Sequence, residues 1–226
     1  MPFSNETLNF LFENRVMDSK VWFTEHRADY DRLVLEPMRE LVNALAPAVL
    51  SVDPLFICEP KIGRSISRIY RDTRFSHDKS IFRDVMWCVF IRDKKLYNGL
   101  PGLFFEFSPQ GFRYGCGYYQ ASPEAMDAMR TMIVADEKSY KAARKAFEKQ
   151  SVFYIENTKY KRSHFPEQSE EKREWLDQKS LCFMTDSADF DLLYSDSLTD
   201  KLSEDFRMLT PMYDFMMTAE ARVIKR

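Results

Sequence analysis

Two aromatic runs separated by a short turn signal constrain this chain more than any other feature. Leu103 to Phe107 and Phe112 to Tyr119 flank Ser108-Pro109-Gln110-Gly111. β-prone residues on both sides of turn residues predict an antiparallel hairpin. Upstream, Val85 to Ile91 is a continuous apolar run of strand length, and Ser65 to Arg71 is a short β-rich stretch. The expectation is four strands in one sheet, with Ile69, Trp87 and Phe105 among its buried residues. Asp93-Lys94-Lys95 and Tyr97-Asn98-Gly99 supply the polar turn chemistry after the Val85 run. Gly115 and Gly117 weaken the last strand intrinsically, so they mark either a bulge or the close approach of another group.

Helical patterns bracket the strands. Ser4 or Asn5 can cap a first helix carrying Leu8, Leu11 and Phe12, and Asp18 or Ser19 can cap a second running through Trp22, Phe23, His26, Tyr30 and Leu33. Pro37 either starts a third helix or kinks a continuous one, because it lacks the amide hydrogen an interior position donates. Leu41, Val42, Leu45 and Val49 form the apolar stripe that follows. Downstream, Ser122-Pro123-Glu124 is a helix start with Met126, Met129 and Ile133 on its buried side, and Lys138 to Gln150 reads as amphipathic with a basic, solvated face. From Asn157 to Gln178 the chain is polar and predicts a long loop with short pieces of structure, after which Leu181 to Met184 can return to the sheet. Ser197 or Thr199 caps a last helix through Phe206 and Leu209 that Pro211 kinks before Tyr213, Phe215 and Met216.

The fold class expected is therefore α+β: a mostly antiparallel sheet covered by N- and C-terminal helices. A length of 226 residues fits one domain, 1–226, with a helical block at 5–50, a sheet region at 56–120 and a helical, mixed region at 122–226. With 19 Phe and 11 Tyr against only 6 Gly, the core rests on aromatic packing and no Gly-rich phosphate loop exists. Cys58, Cys88, Cys116 and Cys182 lack paired spacing and read as reduced core thiols. His26, His77 and His164 share no ligand spacing, so neither a metal nor a cofactor is expected. The chain shows no secretory signal and no apolar span, which predicts a cytoplasmic protein without a membrane partner.

Chemistry concentrates between Arg64 and Asp84. Six bases (Arg64, Arg68, Arg71, Arg74, Lys79, Arg83) stand against Asp72, Asp78 and Asp84, a local excess of three positive charges in a chain of net charge −2. An arginine beside Asp72 lowers its pKa and makes it an orienter of guanidinium rather than a general acid. The functional reading is a fork built from Arg68, Arg71, Asp72, Arg74, Asp78 and Lys79 that holds the phosphate or carboxylate of an anionic small molecule, with or without chemistry. The alternative is an ion-pair network that pins the segment in a non-enzymatic interaction module, whose aromatic face meets a protein or single-stranded nucleic acid. The near-neutral charge disfavours nucleic acid without excluding it. Ser76-His77-Asp78-Lys79 matches an acyl-transfer signature, but its Ser-Asp-Asn and Lys-Thr-Gly partners are absent. His77 beside Asp78 reads as a solvated turn residue before it reads as an acid/base pair.

The same stretch resembles the family catalogued as domain of unknown function 2461, found in bacteria and fungi. Its signature, Arg-x-x-Arg-Asp-x-Arg-Phe followed by Asp-Lys, is met by Arg68, Arg71, Asp72, Arg74, Phe75, Asp78 and Lys79. Weaker similarity reaches Asn14 and Trp22-Phe23 upstream and Gly115-x-Gly117 downstream. Where members often carry a Pro-Tyr-Lys-like triplet, this chain has Ile81-Phe82-Arg83. The resemblance points to the location of a site and implies no activity.

Overall fold

The computed structural model describes residues 3–95 and 99–223. The expected turn at Tyr97-Asn98 lies outside the described residues. Five strands form one antiparallel sheet in the order β1-β2-β3-β5-β4: β1 is Met86–Phe90, β2 Gly102–Ser108, β3 Gly111–Gly117, β4 Tyr154–Ile155 and β5 Cys182–Ser187. The aromatic hairpin is present, with Ser108 opposite Gly111 and Phe105 opposite Tyr114. The expected return of Leu181 to Met184 adds β5 beside β3, so the sheet reaches beyond the 56–120 region that carries its first three strands.

Alternation divides the sheet into two unlike faces. Cys88, Phe105 and Tyr114 lie in one cross-strand row, Phe90, Leu103, Cys116 and Phe183 in another, and all are buried. The opposite face carries the row Trp87, Glu106, Arg113 and Asp186, which keeps solvent contact. Phe105 and Ile69 are buried as expected. Trp87 is not: it stands on the other face, half-buried under the guanidinium of Arg83, whose Cζ lies 4.4 Å from the ring centroid.

Ser65 to Arg71 does not form the expected strand. It makes isolated bridges, Ile66 with Cys88 and Tyr70 with Phe82. Its serines explain why. Ser65 Oγ accepts from the Glu59 amide and donates to the Ile57 carbonyl, and Ser67 Oγ accepts from the Trp87 amide, so side chains occupy partners that a regular ladder would use.

Helices α1 (Asn5–Met17), α2 (Lys20–Glu25) and α3 (Arg27–Tyr30) lead through a π-helical turn, Asp31–Leu35, into α4 (Glu36–Val52). Ser4 and Thr7 form a reciprocal cap at the start of α1, and Ser19 caps α2. Pro37 sits in the first turn of α4, and Leu41, Val42, Leu45 and Val49 are all buried. Phe12 lies on the outer side of α1 and is exposed. α5 (Pro123–Val134) starts at the Ser122 cap and buries Met126, Met129 and Ile133. α6 (Lys138–Glu148) follows, although its Arg144 is not merely solvated: it pairs with Glu148 and with Glu171 of α7 (Glu170–Leu176). After the short α8 (Phe190–Leu193), α9 (Ser197–Met208) begins behind Asp196 rather than at a Ser197 or Thr199 cap. α10 (Thr210–Val223) takes Pro211 in its opening turn, where no amide donor is needed. α4 packs on α9, and α10 on α5 and α6.

Three buried carboxylates join these layers, each taking a tyrosine hydroxyl. Tyr114 of β3 donates to Asp205 of α9 at 2.5 Å, Tyr118 to Glu220 of α10 at 2.8 Å, and Tyr213 of α10 to Asp53. Burial, reinforced by the neighbouring acid, pushes all three phenols well up. Arg92 also donates to Asp53 at 2.7 Å, and Lys201 to Asp205 at 2.8 Å. The four cysteines are free thiols, three of them buried. Among the described residues no helix is long and apolar enough to cross a membrane.

Candidate functional site

The charged segment folds as an irregular loop whose two legs pair with each other at Tyr70 and Phe82 before the chain enters β1. Its base is apolar. Phe23 of α2 packs against Tyr30, Tyr70 and Phe82, with ring centroids 5.3, 5.8 and 5.0 Å away, and Tyr70 meets Phe82 at 4.8 Å. Its return leg is held by Asp18, the left-handed residue that ends α1, whose carboxylate accepts from the amides of Ile81 at 2.8 Å and Phe82 at 3.0 Å. Ser19 supplies the α2 cap, which leaves Asp18 for this long-range task.

That contact gives a direct expectation. Asp18→Ala removes an acceptor for two amides and places a residue without a polar side chain at φ 43°, so unfolding free energy should fall by about 2 kcal/mol. Asp18→Asn keeps an acceptor oxygen, tolerates the left-handed conformation and should retain most of the stability. Equal denaturant midpoints for the two variants would remove Asp18 as the loop's anchor.

The six residues singled out in the sequence do not converge. Arg71 and Asp78 form one ion pair, and Asp78 also accepts from Arg15 of α1 at 2.8 Å and from the amide and hydroxyl of Ser80. Arg71 also reaches Ser76 Oγ at 3.4 Å. Asp72 and Arg74 pair with each other in solvent, Arg74 Nη2 donating at 2.7 Å. Lys79 Nζ donates to the Thr73 carbonyl at 2.9 Å. Arg68 is exposed near Gly63, and Arg64 pairs with Glu59. His77 is exposed, and the hydrogen bonds of Asp78 go to Arg71, Arg15 and Ser80. Phe75, at the tip, is 93% exposed.

The electrostatics follow these pairings. Hydrogen bonds from Arg74 lower Asp72 to about 2. Those from Ser80 and then Arg71 hold Asp78 well below the usual carboxylate range. Two arginines outside the expected set complete the picture. Arg15 was illegible because it lies on a separate helix, far from Asp78 in sequence. Arg83 belongs to the basic stretch, and its position over Trp87 depends on the fold.

Arg83 is only partly compensated. Its Nη2 donates to the Tyr70 carbonyl at 2.8 Å, while its Nε is buried without a hydrogen-bond partner among the described residues. Burial lowers its pKa first and the charge of Arg71 lowers it further, against a weaker opposing pull from Glu106. Among the described residues no group of His, Cys, Asp and Glu side chains has the arrangement of a metal site.

The geometry thus defines an α+β protein whose arginine-rich loop is clamped between an N-terminal helical block and a sheet edge. The chain belongs to the family described as conserved hypothetical protein DUF2461, whose model matches residues 6–215. No curated protein matches it. That description carries no activity.

Proposed function

We propose that the protein binds a phosphate- or carboxylate-bearing small molecule at the loop, with Arg71 and Arg83 as the fork and Asp78 orienting Arg71. The supporting observation is the charge imbalance: Arg15 and Arg71 share one carboxylate, and Arg83, which feels the charge of Arg71, keeps a buried nitrogen without an acceptor among the described residues. Guanidinium groups that are desolvated and mutually repelling gain most from an added anion. Arg68, Asp72, Arg74 and Lys79 line the outer loop and contribute field rather than direct contact in this reading.

Thermal melting against inorganic phosphate, citrate and sugar phosphates tests it. A ligand at one hundred times its dissociation constant adds about 2.7 kcal/mol to the folded state. The melting temperature should rise with concentration for the wild-type chain and stay flat for Arg83→Gln and Arg71→Gln. A shift that persists in both folded variants, or none with any anion, would overturn the proposal.

A second reading is favoured by the bonds to Asp78, which tie the loop to α1 through Arg15. In it the network is structural and the exposed aromatics Phe75 and Tyr119 meet another macromolecule. It predicts that Arg71→Gln and Asp78→Asn lower the melting temperature in parallel with no effect of anions.

A further inference from the structure

A different part of the sheet carries a second site. At the hairpin end of β2 and β3, where β3 meets the end of β5, lies a cleft of about 390 Å³, within the size range of small-molecule sites. Glu106, Arg113 and Asp186 line it and stand opposite one another on three successive strands, so neighbouring side chains leave the backbone about 5 Å apart. Arg113 donates through Nε to Glu106 Oε1 at 2.7 Å, and its two terminal nitrogens make no hydrogen bond to a described residue. Asp186 accepts from the Tyr154 hydroxyl through Oδ2, and its Oδ1 makes no hydrogen bond to a described residue. The guanidinium is therefore fixed at one edge and open along the other, with a carboxylate on each side.

We infer that this cleft binds a small zwitterion of the free α-amino acid type, its carboxylate on the terminal nitrogens of Arg113 and its ammonium on Asp186. Charge selects this class. The three side chains sum to one negative charge, so a plain anion meets two carboxylates, and a plain cation meets the guanidinium. Glu106 is already paired with Arg113, so a molecule carrying both charges one carbon apart meets the open edge of the guanidinium and Asp186 together. The site shares no residue with the proposed Arg71 and Arg83 fork and does not depend on it.

The test is ligand-observed saturation-transfer NMR on the full chain with mixtures of the twenty free L-amino acids, followed by titration of the responders. At least one should bind with a dissociation constant below about 10 mM. Converting its carboxylate to an amide, or acetylating its amine, should each weaken binding about 10-fold or more, since each removes a charge-assisted contact. Arg113→Gln should do the same. Asp186→Asn gives an independent arm should the first variant fail to fold. No response from any free amino acid, equal binding of the capped derivatives, or unchanged binding in a folded Arg113 or Asp186 variant would overturn the inference.

Discussion

Asp53→Ala should lower the unfolding free energy by about 3–5 kcal/mol, the range for removing one partner of a buried ionic network. Asp53 is 2% exposed at the C-terminal end of α4 and serves three elements at once. Its Oδ1 accepts from the Leu55 amide at 2.9 Å, and its Oδ2 accepts from Arg92 and from the Tyr213 hydroxyl. Alanine strips all three of that oxygen pair, and the hydroxyl of Tyr213, 2% exposed as a residue, loses its acceptor inside the protein. Asp53→Asn keeps one acceptor oxygen and should fall between the two. Burial alone would raise the Asp53 carboxyl, but the bonds from Arg92, Tyr213 and Leu55 outweigh it and hold the folded pKa below its ordinary value. The charge-dependent share of the stability is then complete above the unfolded value of about 3.9 and is lost as pH falls through the lower folded value. Denaturant melts should show a wild-type advantage that is constant from about pH 5 upward and narrows in acid. An Asp53→Ala loss below about 1 kcal/mol would mean that the carboxylate is not a junction.

The second large effect is expected at Gly115→Val. A Cβ at Gly115 would collide with the carbonyl oxygen of Phe183 and lie 2.8 Å from Met184 Cα, both backbone atoms of β5. Side chains can rotate away from an added methyl, whereas a paired strand cannot without opening the β3–β5 ladder. The cost should therefore reach about 3 kcal/mol or more, at the upper end of overpacking effects. Differential scanning calorimetry would show it as a much lower melting temperature, and Gly115→Ala should already show a sizeable part. A near-neutral valine would indicate that β5 can move aside.

That collision resolves the choice left open in the sequence, because the two strand glycines mark close approach of a neighbouring strand: at Gly117 the added Cβ would stand 2.5 Å from Cys182 Cα. Local chemistry was legible wherever a few adjacent residues decide the outcome. The Ser4, Ser19 and Ser122 caps and the Pro109-Gln110 turn are of this kind. Sequence alternation failed at Ser65 to Arg71 because two serine side chains took over backbone partners, and at Trp87 because a continuous apolar run does not say which of its faces meets the helices. In the candidate site, charge density singled out the loop, and the arginine expected beside Asp72 is Arg74. Local spacing did not name a partner for Arg71; the fold brings Asp78, and with it Arg15, to that role. Pairings between a loop and a distant helix leave no local trace.

The π-helical turn at Asp31–Leu35 has a consequence for how insertions and deletions act on this chain. Tyr30, Val34 and Met38 are buried at steps of four residues, and in an uninterrupted α-helix each such step rotates the side chain by about 40°. The wider turn absorbs that rotation, so the aromatic patch on Phe23 and the stripe from Leu41 to Val49 both point inward. It works as a phase adjuster between two helical segments whose burial patterns were set separately. Removing one residue there would turn the segments against each other by about 100°, swinging Tyr30 and Phe23 away from Tyr70 and Phe82 and unseating the floor of the arginine loop without touching a single arginine.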